Sequence, residues 1–185
     1  MGELGLPAGI EAEAAFAEIY DEDLVLDAVI AQSGAQAQAI WAMRESLPLA
    51  NKRIGSISSH DISVPLAELP EFITRATAAL AEIGTFRINC FGHVGDGNLH
   101  FNVFPPAGRS KGEFDDLRGA IKACVHEIVV ALEGSVSAEH GIGRLKVEDL
   151  ERFGDPSKLA MMRAIKTALD PHGIMNPGAV LRERP

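Results

Sequence analysis

Cysteine is almost missing from this 185-residue chain, with only Cys90 and Cys124 present. Both lie in apolar, element-like stretches, the usual setting of a buried thiol. A chain of this length buries roughly 70% of its unfolded surface, so it needs neither a disulfide nor a structural metal to fold. Any metal it holds is expected to serve chemistry. Positive charge is also short: 17 Lys and Arg stand against 26 Asp and Glu, a formal net charge of −9. That deficit excludes a phosphate-backbone partner, which needs a clustered basic surface. It leaves room for a small anion, because a few arginines can dominate one pocket. No apolar run reaches the roughly 18 residues of a membrane span, and no basic-then-apolar leader opens the chain. The expectation is a cytoplasmic protein with no nucleic-acid partner and no membrane span. What is present is ordinary for a globular domain, with 46% apolar and 23% charged residues.

The pattern of elements is α+β. Residues 1–9 have no periodicity. Residues 11–20 read as a helix, 24–31 as a short strand, and 35–47 as a helix that Ser33 caps and Pro48 stops. Residues 55–66 alternate as a strand. Residues 66–83 form an amphipathic helix with Gly84 as its C-cap. Residues 85–92 and 98–104 alternate again around Gly95-Asp96-Gly97, a hairpin signal. A helix over 114–132, a short strand opening at Val136 and helices over 147–153 and 156–169 follow. From Gly55 to Ala138 this order is a ferredoxin-like split βαβ, an antiparallel sheet with helices on one face. The expected organisation is an N-terminal lead over 1–23, an α+β domain over 24–145, and C-terminal helices and tail over 146–185.

The chemistry-bearing residues cluster in Gly92-His93-Val94-Gly95-Asp96-Gly97-Asn98-Leu99-His100 and in Ser137-Ala138-Glu139-His140-Gly141. A hairpin can bring His93 and His100 onto adjacent strands facing one side, where paired Cβ atoms are roughly 4.5–5.5 Å apart. Two imidazoles at that spacing can share a metal, and Glu139 completes the set if its segment lies beside the hairpin. Two histidines and a carboxylate leave coordination positions open, which suits zinc, manganese or ferrous iron in a catalytic role. Histidines at a hairpin serve equally well to bond turn backbone, and spacing alone does not choose. His140 titrates near neutrality and so can act as a base, or it is a surface histidine. Arg44 has the fork for a carboxylate, or it is a solvated helix charge. Asn102, on the face of His100, can donate to a ligand or pair with backbone. Asp96 is a turn former.

GHVGDGNLHFN, SAEHGIG, Trp41-xx-Arg44-Glu45, His60-Asp61-Ile62-Ser63-Val64-Pro65 and the terminal LDPHGIMNPGAV occur in the same order in a known family. From Leu24 onward the chain resembles the C-terminal domain of FAD-linked oxidases of the vanillyl-alcohol oxidase type. That group includes D-lactate, D-2-hydroxyglutarate and glycolate dehydrogenases. The resemblance implies that His93, His100 and Glu139 hold a divalent metal, zinc foremost, with manganese or iron as alternatives. It implies that Arg44 and Asn102 orient a small 2-hydroxy acid, that His140 takes its hydroxyl proton, and that Asn176 approaches the flavin.

Two departures qualify what the resemblance implies. Some 2-hydroxyglutarate enzymes carry a lysine just before the aspartate-containing strand motif, where Ser58-Ser59-His60 stands here, so the substrate is left at the level of a 2-hydroxy acid. Lys52 or Arg53 is the alternative group for a distal carboxylate. The chain also has no glycine-rich pyrophosphate loop. It is therefore expected to be a fragment whose N-terminal flavin domain is a separate partner, inactive alone because FAD carries the hydride chemistry. Electron transfer to an acceptor protein or quinone, and self-association, are further expectations. The competing readings are a stand-alone metal-dependent hydrolase and a non-catalytic module binding metal or a small acid.

Overall fold

The apolar alternation between residues 57 and 104 becomes a three-stranded antiparallel sheet in the computed structural model, which describes residues 12–22 and 24–182. β1 (Ser58–Ser63), β2 (Arg87–Phe91) and β3 (Asn98–Phe104) are ordered β1-β3-β2, with β3 paired to both neighbours. The helices are α1 (Ala12–Asp21), α2 (Gly34–Ile54), α3 (Leu69–Ile83), α4 (Arg118–Ala131), α5 (Val147–Phe153) and α6 (Pro156–Leu169). The chain divides into two units, residues 1–53 and 54–185.

Side chains alternate across a strand, so the register decides which residues share a face. Ile62 with Leu99, His60 with Phe101 and Cys90, and Ser58 with Val103 and Ile88 form rows on one face. Its apolar members meet Phe72, Ala76 and Leu80 of α3 and Ile121, Val125 and Val129 of α4 in one core. Phe72 and Phe101 stack edge to face at 5.3 Å. The other face carries Asp61, His100 and Phe91 in one row and Ser59, Asn102 and Asn89 in the next. The α+β class with helices against one sheet face agrees with the sequence reading. Among the described residues no helix is long and apolar enough to cross a membrane.

The strand expected at Val136 is reduced to one antiparallel bridge between Ser63 and Ser135, with N–H···O distances of 2.9 and 2.8 Å. It keeps the edge position beside β1 that a split βαβ gives its last strand. Beyond Ser135 the chain leaves the ladder because its serines satisfy the backbone locally. Ser135 Oγ donates to the Ser137 carbonyl at 3.0 Å and accepts from the Ser137 N–H at 3.3 Å.

Two other expectations fail. No strand forms over 24–31; Leu26 is 96% and Val29 81% exposed. β-branched character is realised only against a neighbouring strand and a buried face. The helix beginning after Ser33, whose Oγ accepts the Gln36 N–H at 3.3 Å, continues through Pro48 to Ile54. Proline removes one i→i−4 hydrogen bond, but helix formers resume after it, and Lys52 and Arg53 complement the carbonyl end of the dipole.

One polar chain is buried under the helix-covered face. Ser58 Oγ lies 2.9 Å from His60 Nε2, His60 Nδ1 lies 3.2 Å from His126 Nε2, and His126 Nδ1 lies 3.1 Å from Asp149 Oδ1. Lys122 Nζ pairs with Asp149 Oδ2 at 2.6 Å. The carboxylate only accepts, so His126 Nδ1–H donates to it, His60 Nδ1–H donates to His126 Nε2, and the Ser58 hydroxyl donates to His60 Nε2. Both imidazoles are neutral in this arrangement. Burial, reinforced by His126 and nearby lysines, lowers the His60 pKa to about 3. Burial also lowers that of His126, against the opposing pull of Asp149.

Candidate metal centre on the open sheet face

The centre is assembled from three segments. β1 contributes Asp61, the β2–β3 connection and β3 contribute His93, Asn98 and His100, and the glycine-rich loop before α5 contributes Glu139 and His140. The connection is a short 3-10 helix, Val94–Asp96, closed by Gly97 at φ +70°. A Cβ at Gly97 would collide with the Val64 carbonyl oxygen, so the tight approach of this turn to the end of β1 requires glycine.

His93 therefore lies beyond β2 at the mouth of the turn, and the strand residue across from His100 is Phe91. The direct cross-strand histidine pair expected from the hairpin does not form. The two rings converge on Glu139 instead. His93 Nε2 stands 3.6 Å from Glu139 Oε1, and His100 Nε2 stands 3.6 Å from Glu139 Oε2. The His100 and His140 ring centroids are 5.8 Å apart. Donor atoms from Asp61, His100, Glu139 and His140 all lie within 4.8 Å of one another. Ligand atoms bound at about 2.1 Å to a tetrahedral ion stand about 3.4 Å apart, so this nitrogen and carboxylate spacing fits a divalent metal.

Asp61 and Asn98 stand in the sequence motifs with no role assigned to them, and both prove to be buried beside the histidines. Asp61 Oδ2 accepts the main-chain N–H groups of Glu139 at 3.0 Å and His140 at 2.9 Å. Asn98 Nδ2 donates to Asp61 Oδ1 at 3.1 Å, and Asn98 Oδ1 accepts the His93 N–H at 3.3 Å. Burial works against ionisation of Asp61. The two N–H groups and the Lys146 ammonium, 4.0 Å from Oδ2, outweigh it and hold the pKa below the usual carboxylate range. Lys146 also donates to the Val136 carbonyl at 2.9 Å, fastening the loop to β1. An aspartate inside an alternating strand pattern was the available signal, since aspartate is depleted in strands and a buried one requires partners.

The other expected site residues are placed as follows. Asn102 shares the face of His100 and donates to the main-chain carbonyls of His100 at 3.2 Å and Asn89 at 3.4 Å. Arg44 lies on α2, its guanidinium 5.8 Å from the Trp41 ring centroid. Asn176, at φ +47°, lines a cavity of about 370 Å3 with Lys166, Asp170, His172 and Arg182, whose lining includes none of His93, His100, Glu139 or His140. Asp96 occupies the turn, as expected of a turn former. Cys90 packs against the core, its thiol pushed up to about 11 by burial.

Comparison with known proteins finds relatives of this chain. The family model described as FAD linked oxidases, C-terminal domain, matches residues 8–180. A D-2-hydroxyglutarate dehydrogenase of Stutzerimonas stutzeri (strain A1501) is 38% identical over 173 residues, covering 92% of this chain and 37% of that protein. One from Xanthomonas citri pv. viticola is 37% identical over 177 residues, with the same coverage of 92% and 37%. The mitochondrial D-2-hydroxyglutarate dehydrogenase of Arabidopsis thaliana is 36% identical over 170 residues, covering 91% of this chain and 29% of that protein. The chain thus spans between 29% and 37% of the length of these relatives. It belongs to the family of FAD-linked oxidase C-terminal domains.

Proposed function

We propose that this chain is the substrate- and metal-binding part of an FAD-dependent dehydrogenase acting on a D-2-hydroxy acid. The observation that carries the reading is the convergence of His93 and His100 on the two oxygens of Glu139, each at 3.6 Å, with His140 alongside. His93, His100 and Glu139 would hold the metal, with zinc taken first from the family resemblance and manganese or iron open to the same ligand set. The metal supplies a Lewis acid for the hydroxyl, and FAD supplies the hydride acceptor. His140 takes the hydroxyl proton on a ring nitrogen. Asn102, on the face of His100, is assigned to the substrate, and Arg44 to the substrate carboxylate. Asn176 is assigned to the flavin.

D-2-hydroxyglutarate, named in the relatives, is the first substrate to try. The Ser58-Ser59-His60 stretch supplies no charge for a distal carboxylate, because His60 is buried and its pKa is lowered to about 3. The reading keeps the protein in the cytoplasm, with the flavin-bearing region as its partner.

Metal analysis of the purified chain tests the first half of the proposal. About one equivalent of zinc, lost in His100→Ala, is expected, and a metal-free protein that binds none on addition overturns it. Flavin reduction tests the second half, using this chain completed with its flavin-bearing region. Reduction by a D-2-hydroxy acid is expected, and failure with D-lactate, glycolate and D-2-hydroxyglutarate alike overturns it.

A further inference from the structure

We propose that Asp61 is the positioning residue of the centre, one carboxylate that sets the main chain of all the ligand-bearing segments around it. The proposal deepens the metal reading and rests on it. Asp61 stands directly opposite His100 in the β1–β3 register, so its own position is fixed by the sheet. Oδ2 receives the N–H groups of Glu139 and His140. Oδ1 receives one N–H of the Asn98 amide, which also donates to the Ile62 carbonyl at 3.2 Å. With both donors of Nδ2 directed inward, Asn98 Oδ1 faces outward and accepts the N–H of His93. The chain of bonds runs one way, from the His93 N–H through Asn98 to an acceptor-only carboxylate.

This occupancy favours positioning over ligation. Asp61 lies close enough to His100, Glu139 and His140 to be counted among the metal-binding groups. Its two oxygens already take three N–H donors, and Lys146 balances its charge. Oδ2 is filled by two donors and Oδ1 keeps one lone-pair site, so the role proposed for this carboxylate is to hold the ligands, and the variants below test whether it also joins them. It also follows that an amide cannot replace it. In Asp61→Asn, if the new side chain kept its oxygen toward Glu139 and His140, its NH2 would face the NH2 of Asn98. If Asn98 then turned over, its NH2 would face the N–H of His93. One joint breaks in every arrangement.

The test uses the full 185-residue chain. Main-chain amide exchange is followed by NMR in the metal-free protein, and Co2+ is titrated with its visible spectrum recorded. In Asp61→Asn, exchange at one or more of His93, Glu139 and His140 should accelerate about tenfold or more. Ala138, whose N–H bonds the main-chain oxygen of Asp61 at 3.3 Å, and Ser135 should be unmoved. Co2+ affinity should fall roughly 10–100-fold, as when a residue orienting metal ligands is lost, with an altered spectrum. In Asn98→Ala, the exchange of His93 alone should rise, with a smaller loss of Co2+ affinity. That variant carries the test if Asp61→Asn does not fold.

Unchanged exchange at all three amides overturns the proposal. So does equal acceleration at Ala138 and Ser135, which would make Asp61 a general fold residue. So does full Co2+ affinity in Asn98→Ala beside none in Asp61→Asn, which would make Asp61 a ligand. A wild-type chain that binds no Co2+ overturns the metal reading, while the exchange pattern still decides whether the clamp exists.

Discussion

His60 and Asp61 are neighbours in β1, yet they belong to two histidine-carboxylate clusters that behave as opposites. On the helix-covered face His60 and His126 are 3% and 2% exposed, and every ring nitrogen has a hydrogen-bond partner. No lone pair is left for a metal, and burial keeps both rings neutral. On the open face the Nε2 atoms of His93 and His100 face carboxylate oxygens at 3.6 Å, beyond hydrogen-bonding distance and suited to an ion between them. The same residue types give a hydrogen-bonded structural element in one place and a candidate metal centre in the other. Strand alternation decides which, by assigning each side chain to the packed or the open face.

The largest effect expected from breaking the comparison is on the open face. His100→Ala removes one of two imidazoles and should cost more in metal affinity than the roughly 10–100-fold typical of residues that only orient ligands. Folding stability should change by less than about 1 kcal/mol, since no core residue loses its packing. Metal titration and a thermal melt of the same sample check both. A collapse of stability would mean that the open face, too, is structural.

The reverse experiment strikes the packed face. His126→Leu strands the buried His60 Nδ1–H and takes the partner of Asp149 Oδ1, leaving that carboxylate only Lys122, and should destabilise the fold by about 2–4 kcal/mol in urea titrations. Metal affinity at the open face should remain within about twofold, because the two clusters share no ligand. A parallel loss of metal would show that β1 transmits strain from one face to the other.

The legibility of the two faces in the sequence was unequal. The open-face residues His93, His100, Glu139 and His140 stand out because glycines and turn residues surround them. The split βαβ order was equally readable from alternation and helical spacing. His126 was not, since it sits on a helix among Val125, Ile128 and Val129, and its partners are 23 and 66 residues away. Asp61 was legible only as an aspartate out of place in a strand, and its link to Asn98, Glu139 and His140 was not, as these partners lie 37 to 79 residues away and only folding joins them. Residues 24–31 misled because β-branching describes what a strand prefers, not whether another strand is present to pair with it.

Acid should separate the faces further. In the unfolded chain His60 takes up a proton near pH 6.5, but in the fold it does so only at about 3. Between those values the unfolded state binds more protons, so the stability is complete above about 6.5 and drains as the pH falls, at about 1.4 kcal/mol per unit. His126, lowered by burial despite Asp149, adds in the same sense. The lowered pKa values of Asp61 and Asp149 act only below the ordinary carboxylate range near 4. Urea midpoints at pH 7.5 and 5, measured without metal, therefore report the histidines. A flat profile would mean that the buried pair titrates as it does in the unfolded chain, and stability rising toward pH 5 that the pair is already charged at neutrality.

The smallest effect tests the direction of the buried chain. Ser58→Ala removes the hydroxyl donated to His60 Nε2 and should cost only about 0.5–1.5 kcal/mol, because Ser58 is half-buried and water can take its place. His60 would keep its donation to His126, so the acid-induced loss of stability should keep its slope. Were the chain reversed, with His60 Nε2–H donating to Ser58 and His126 Nε2–H donating to His60 Nδ1, His126 Nδ1 would be left as an acceptor that needs a proton from Asp149. That carboxylate would have to be protonated, although Lys122 stands 2.6 Å away and its pKa lies below the ordinary range. Charge at the Asp149 end thus fixes the tautomers at the Ser58 end. A Ser58→Ala variant that flattened the acid profile would break that link.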